Sequence, residues 1–186
     1  DALLKLPDSG LATKEPHKPA IVRVFTDKDV CDIFDVRLAL EILAIEKATI
    51  NDSSIAKLES ILVLERKAVD EGIIRNYVSI DNHFHVTLVG LSGNDTLLNS
   101  FQRLRDQIQL ARVVMTTRRP QRMEEAHGEH KALVAALSGQ KIEDAKNIVE
   151  RHIESARLAT LVGWESARED AEKTSNQSVP GFLING

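Results

Sequence analysis

Apolar positions recur at helical intervals along most of the chain, and breaks in that rhythm divide it into six segments. Thr26 reads as an N-cap, with Asp27 and Asp29 at the positive end of a helix that runs to about Ala48. Its apolar residues form two stripes, Ile33, Val36, Leu40, Leu43 and Phe34, Leu38, Ile42, Ile45, which predicts burial between other elements. A second helix, capped by Asn51 or Asp52, extends to Gly72 with Ile55, Leu58, Leu62 and Val69 inward. A third spans about Ile74 to Leu91 and stops at Ser92, Gly93 and Asn94, a C-cap glycine followed by a new N-cap. The fourth carries Leu97, Phe101, Leu104, Ile108, Ala111 and Met115 on one face. Pro120 opens the fifth, whose stripe is Met123, His127, His130, Val134 and Leu137 and whose end is Gly139. The sixth starts near Lys141, aligns Ala145, Val149, His152 and Ala156, and fades after Trp164. Short connections between these segments predict an all-α antiparallel bundle of six to seven helices.

The first 25 residues follow another pattern, punctuated by Pro7, Gly10, Pro16 and Pro19. Leu11 to Glu15 and Ala20 to Phe25 read as two strands flanking a proline-containing tip, a hairpin that needs something to pack on. The expected division is therefore 1–25 for the hairpin region, 26–170 for the helical domain and 171–186 for a polar, flexible tail. A start at Asp1 rather than Met reads as a sign of a preceding segment.

Composition narrows the class. The chain has 186 residues, 42% hydrophobic and 28% charged, which suits a globular domain with a real core. Only 4% are aromatic, which favours helices over a β-sandwich. A net charge of −4 argues against a phosphate-binding surface over the bulk of the chain. The single cysteine, Cys31, excludes an internal disulfide and a Cys-rich zinc site, and suits a reducing cytoplasm. No apolar run approaches the roughly 18 residues that would span a bilayer, so no membrane association is expected.

The chemistry lies in the histidines. Asp81 and His85 are four residues apart. That spacing puts them about 40° apart on a helix, one turn along it. Both can address one point, whereas His83 faces away. His130 and His152 each interrupt an apolar stripe on a later helix. One carboxylate and three imidazoles form a borderline donor set suited to Zn²⁺, with Ni²⁺, Mn²⁺ or Fe²⁺ as alternatives. The competing reading is a set of hydrogen-bonded core histidines. Spacing cannot choose between His127 and His130, which share a stripe.

Four motifs resemble the C-terminal effector-binding (FCD) domain of GntR-type transcriptional regulators of the FadR subfamily. They are Val36-Arg37 with Leu40-Glu41; Asp81 to Leu88 with Gly93-Asn94; Glu129-His130 with Ala136-Leu137 and Gly139; and Arg151-His152-Ile153. The resemblance implies Asp81, His85, His130 and His152 as metal ligands and leaves His127 as a neighbour. It implies that residues 1–25 are the wing end of a winged-helix DNA-binding domain whose main reading helix lies outside this chain.

Arg37 stands in line with Val30, Phe34, Glu41 and Ala44, where a core helix should bury aliphatics. A buried guanidinium needs an anion. Glu41, one turn on, is one partner, and an effector carboxylate is the other, which the resemblance favours. Arg105 and Arg112 are further effector-binding candidates, with a solvated helix face as the alternative. The implied function is a cytoplasmic, homodimeric, ligand-responsive regulator, a repressor, that binds operator DNA through its winged-helix domain and is not an enzyme. The alternatives are a metal-dependent enzyme on a helical bundle, with Glu41 or Glu129 as base, and a metal-free sensor of an acyl ligand.

Overall fold

The computed structural model describes residues 12–13, 21–22 and 26–177. Six helices account for almost all of them: α1 (Asp27–Lys47), α2 (Asp52–Glu71), α3 (Ile74–Gly90), α4 (Asp95–Arg118), α5 (Arg122–Ser138) and α6 (Ile142–Gln177). Two short strands, β1 (Ala12–Thr13) and β2 (Ile21–Val22), pair antiparallel, with Ala12 opposite Val22. The proline-containing tip, the outer ends of the expected strands and the segment after 177 lie outside the described residues. No helix among the described residues is long and apolar enough to cross a membrane.

Local chemistry sets the helix boundaries. The Thr26 hydroxyl accepts from the Asp29 amide at 3.1 Å while the Asp29 carboxylate accepts from the Thr26 amide at 2.8 Å, a reciprocal cap. Asn51 caps α2 by accepting from the Ser54 amide at 2.9 Å, and Asn94 caps α4 by accepting from Leu97 at 3.0 Å. Gly72 and Gly93 take the left-handed conformation after α2 and α3, with φ of 65° and 63°. After α5 the left-handed residue is Gln140, at φ 54°, while Gly139 keeps φ −79°.

Two expectations change. α6 does not fade after Trp164 but continues to Gln177. Between Gly163 and Pro180 the sequence holds no glycine or proline and is rich in Ala, Glu, Arg and Lys, so nothing there stops a helix. α1 is buried on one face only: Val30, Ile33, Phe34, Arg37, Glu41, Ala44 and Ile45 are inside, whereas Val36 is 50% and Leu43 38% exposed. It packs against α3, α4 and α6, which leaves its outer face open.

α2 packs on α3 and α5, and α6 lies against α1, α4 and α5. Phe34, Ile45, Leu58, Phe84, Leu88, Phe101, Ile108, Leu133 and Leu137 are almost wholly buried between them. Full burial of such a side chain contributes about 1.5–3 kcal/mol. Within this apolar interior sit Arg37, Glu41, Glu65, Asp81, His85, Arg112, Thr116 and His130, none more than 3% exposed. Burying so much charge costs free energy unless the groups satisfy one another or a ligand.

Candidate metal centre

Three imidazoles from three helices converge in that interior: His85 from α3, His130 from α5 and His152 from α6. One ring nitrogen of each lies within 4.8 Å of the others. Nε2 of His130 is 3.4 Å from Nε2 of His152. Two nitrogens bound to one tetrahedral ion at about 2.1 Å would be about 3.4 Å apart. Oδ1 of Asp81, one turn before His85, is 3.9 Å from Nε2 of both His85 and His130. Tyr77, a turn earlier on α3, donates to the same oxygen at 3.4 Å. Phe84 stacks on His130 with ring centroids 4.1 Å apart and walls that side of the cluster.

The opposite edge of each ring is also occupied. His85 Nδ1 donates to Glu41 at 2.7 Å, His130 Nδ1 to Glu65 at 2.8 Å and His152 Nδ1 to Glu129 at 2.6 Å. A carboxylate accepts from Nδ1 of each ring, which fixes the Nδ1 proton and leaves Nε2 of a neutral imidazole to present its lone pair. Three separate glutamates thus turn three lone pairs towards one point. Carboxylate–histidine pairs of this kind fix the tautomer and orientation of metal-binding imidazoles. The donor set fits a divalent ion.

Charge compensation in the cluster is uneven. Arg37 Nε donates to Glu41 at 2.8 Å and Arg37 Nη2 to the His85 Nε2 lone pair at 2.9 Å. Arg112 Nε lies 2.5 Å from Asp81 Oδ2. Burial alone would raise the Asp81 carboxyl, but Arg112 and the two nearby histidines hold it well below the usual carboxylate range. Burial brings Arg112 down to about 10 against the pull of Asp81. Burial pushes His85 far below its ordinary value, with Arg37 and Arg112 adding to the effect, and pushes His152 down to about 4 despite Glu129. Both rings are therefore neutral at physiological pH, as ligands must be. Arg37 Nη1, both Nη atoms of Arg112 and Thr116 Oγ1 are buried without a hydrogen-bond partner.

Comparison with known proteins assigns the fold to a family. The FCD domain matches residues 32–155, two thirds of the chain. The Nta operon transcriptional regulator of Aminobacter aminovorans is 30% identical over 158 residues, 83% of this chain and 72% of that protein. The chain belongs to the FCD-domain regulators of the GntR family. The HTH-type transcriptional regulator YdhC of Bacillus subtilis is 27% identical over 155 residues, 82% of this chain and 69% of that protein. Among solved structures, E. coli McbR/YncC superposes with a TM-score of 0.73 at 16% identity, over 86% of this chain and 81% of that one. The metal-free FCD domain of TM0439 superposes with a TM-score of 0.65 at 16% identity, over 77% of this chain and 99% of that one. The curated relatives of this FCD chain are transcriptional regulators rather than enzymes.

Within the FCD fold, His85, His130 and His152 come together. Asp81 lies 3.9 Å from Nε2 of His85 and of His130 and groups with Glu65 and His130 rather than with all three imidazoles. Arg37 and Arg112 approach from α1 and α4. Arg105 does not: it is exposed on α4, two turns before Arg112. His83 is exposed, as its spacing from Asp81 requires. His127 contacts Glu65 at 2.9 Å and does not reach the three-histidine group. Sequence reasoning missed Glu65, Tyr77 and Arg122. Glu65 left a readable signal, because it follows Leu58 and Ile61 and precedes Ala68 on the buried face of α2. A carboxylate in an apolar stripe needs a partner. Arg122 left none, since the first turn of a helix is an ordinary place for an exposed arginine.

Proposed function

We propose that this chain is the effector-sensing part of a transcriptional repressor in which a divalent metal and a small organic acid together control DNA binding. Asp81, His85, His130 and His152 would hold the metal, Zn²⁺ by preference for three imidazoles and a carboxylate, with Ni²⁺, Mn²⁺ or Fe²⁺ compatible with the same donors. The observation that carries this reading is the orientation of three Nε2 lone pairs to one point by Glu41, Glu65 and Glu129. A bound metal acts as a Lewis acid for a ligand oxygen.

The unpaired donors favour an anionic effector. Arg37 Nη1 and both Nη atoms of Arg112 are buried beside the centre and lack an acceptor. A buried donor left unpaired costs about 1–3 kcal/mol, which an anionic ligand would offset. Arg37 Nη2 also occupies the His85 lone pair that a metal would take, so metal binding frees a further N–H for the same anion. A small carboxylate fits these groups, and Arg37 and Arg112 would pair with it. A long acyl chain would leave them unpaired.

Regulation would follow from a difference in effector affinity between two states of the protein. The paired segments Ala12–Thr13 and Ile21–Val22 would belong to the wing of the winged-helix domain that contacts operator DNA, and residues from 26 onward to the effector domain. The exposed Val36 and Leu43 of α1 and Val113 of α4 would lie in a homodimer interface matching a two-fold operator. The absence of any membrane-crossing helix among the described residues fits a cytoplasmic regulator.

The test is metal analysis of protein purified without chelator, with a thermal-shift screen of organic acids before and after metal removal. Stoichiometric divalent metal and an acid-dependent rise in Tm that disappears on chelation are the expected results. Absence of metal together with metal-independent shifts overturns the reading.

A further inference from the structure

We propose that His127 is a positioning residue of this centre: it holds the Glu65 carboxylate so that Glu65 can aim the His130 lone pair. The inference rests on the metal-binding reading above and extends it to a residue outside the ligand set.

The argument starts from what restrains the three orienting glutamates. Glu41 is held on its far side by Arg37 Nε at 2.8 Å. Glu129 is held by a fork of Arg122, whose Nη1 and Nη2 donate to its two oxygens at 2.9 and 2.5 Å. Glu65 is wholly buried, and no arginine reaches it among the described contacts. Its Oε1 accepts from His130 and its Oε2 from His127 Nδ1, at 2.9 Å. His127 therefore occupies the place that an arginine fills at the other two carboxylates. It is the outermost of the three restraints, lining a surface groove of about 320 Å³ between α2 and α5 with Leu62, Val63, Arg66 and Lys131.

The consequence of losing that restraint follows from the same geometry. Without the His127 N–H, Oε2 of Glu65 becomes a buried acceptor with no donor, which drives the carboxylate to rotate. An oxygen of Glu65 already lies within 4.8 Å of ligand atoms of both Asp81 and His130. A released Glu65 would then turn from orienting His130 to competing for the metal itself. The defect would lie in the geometry of the centre as well as in its affinity.

The experiment compares Co²⁺ binding by the full chain with that of His127→Leu and His127→Asn. The amide nitrogen of Asn stands where His Nδ1 stands and restores the donor. Three readouts are used: Co²⁺ affinity by competition with a chromophoric chelator, the visible d–d spectrum, and the His130 tautomer in metal-free protein from two-bond ¹H–¹⁵N spectra. We expect His127→Leu to weaken Co²⁺ at least about tenfold, the lower end of the range for outer partners of metal ligands. Its d–d bands should change, and its His130 should no longer be held as a single Nδ1–H tautomer. His127→Asn should return all three towards wild type. If His127→Leu does not fold, His127→Gln, which carries its donor one bond further out, takes its place with the same expectation. Wild-type affinity and spectrum in the leucine variant overturn the inference, as does a weakened variant whose spectrum is unchanged and which Asn does not rescue. A wild-type chain that binds no Co²⁺ instead overturns the metal reading, and this inference with it.

Discussion

Arg37 on α1 and His85 on α3, 48 positions apart in sequence, meet inside the bundle with Nη2 of the guanidinium 2.9 Å from Nε2 of the imidazole. The same guanidinium donates to Glu41, and Glu41 accepts from the other nitrogen of His85. The three residues close a buried ring in which each member fixes the other two. Arg37 thereby belongs both to the framework that orients His85 and to the group of donors that faces the centre.

Substituting Arg37→Met keeps an unbranched chain as far as the position of Nε and removes the rest of the guanidinium with its charge. Glu41 would retain only the His85 N–H and would be left as a buried carboxylate without a permanent cation. Breaking a buried ion pair from one side costs about 3–5 kcal/mol. Urea denaturation of the metal-free protein should show a loss of that order, and a loss below about 1 kcal/mol would mean that the pair is not closed as described.

Much of this arrangement is legible before the fold is known, but unevenly. The 3.6-residue period places Asp81 and His85 on one side of α3 and turns His130 and His152 inward, because apolar stripes reveal which face of a helix is buried. It cannot separate His127 from His130, and the structure shows why: both are buried on α5 and both bind Glu65. Their difference is depth along the path from groove to centre, which depends on where α2 and α6 pack and not on position in α5. Burial of Arg37 was readable from its line with Val30, Phe34 and Ala44. Exposure of Val36 was not, because an apolar stripe has the same appearance whether it faces the core or another molecule. The full length of α6 is not legible, because weakening amphipathicity resembles an end although no stop signal lies between Trp164 and Gln177.

His130→Ala separates the proposed metal sensor from a metal-free one. His130 is the residue shared by both clusters of ligand-capable groups, His85 with His152 and Glu65 with Asp81. Its removal should abolish stoichiometric metal and the metal-dependent Tm rise with organic acids. At a free metal concentration of about 100 Kd, that lost stabilisation would be about 2.7 kcal/mol. Metal content and effector affinity equal to wild type would sink the assignment.

Val36 is 50% exposed and Leu43, two turns along the same side of α1, is 38% exposed. A charge in the middle of an apolar dimer interface is strongly disfavoured, whereas on a free surface its effect is within about 0.5 kcal/mol. Val36→Glu should shift the sedimentation coefficient from dimer to monomer while the helical circular dichroism stays unchanged. A variant that remains dimeric would place the interface elsewhere.

Acid should unfold the metal-free protein earlier than the metal-bound one. His152 is pushed down to about 4 in the folded chain, chiefly by burial, against an ordinary value of 6.5, and His85 is lowered further in the same direction. The unfolded chain therefore binds more protons than the folded one below about pH 6.5, so stability falls as pH drops from there towards 4. Glu129 acts in the same sense at lower pH. Half-burial pushes it up, but His152 and Arg122 outweigh that and hold it at about 2, against an ordinary 4.5. The stability it contributes is present above 4.5 and is lost as pH falls towards 2. A bound metal competes with protons for the imidazole lone pairs and should delay the first of these losses. Thermal melts should show a Tm for the metal-free protein that is level above pH 7 and declines between 6.5 and 4, with the decline displaced to lower pH when metal is present. A metal-free Tm that stays constant down to pH 4.5 would contradict the neutral, buried state of both histidines on which their role as ligands depends.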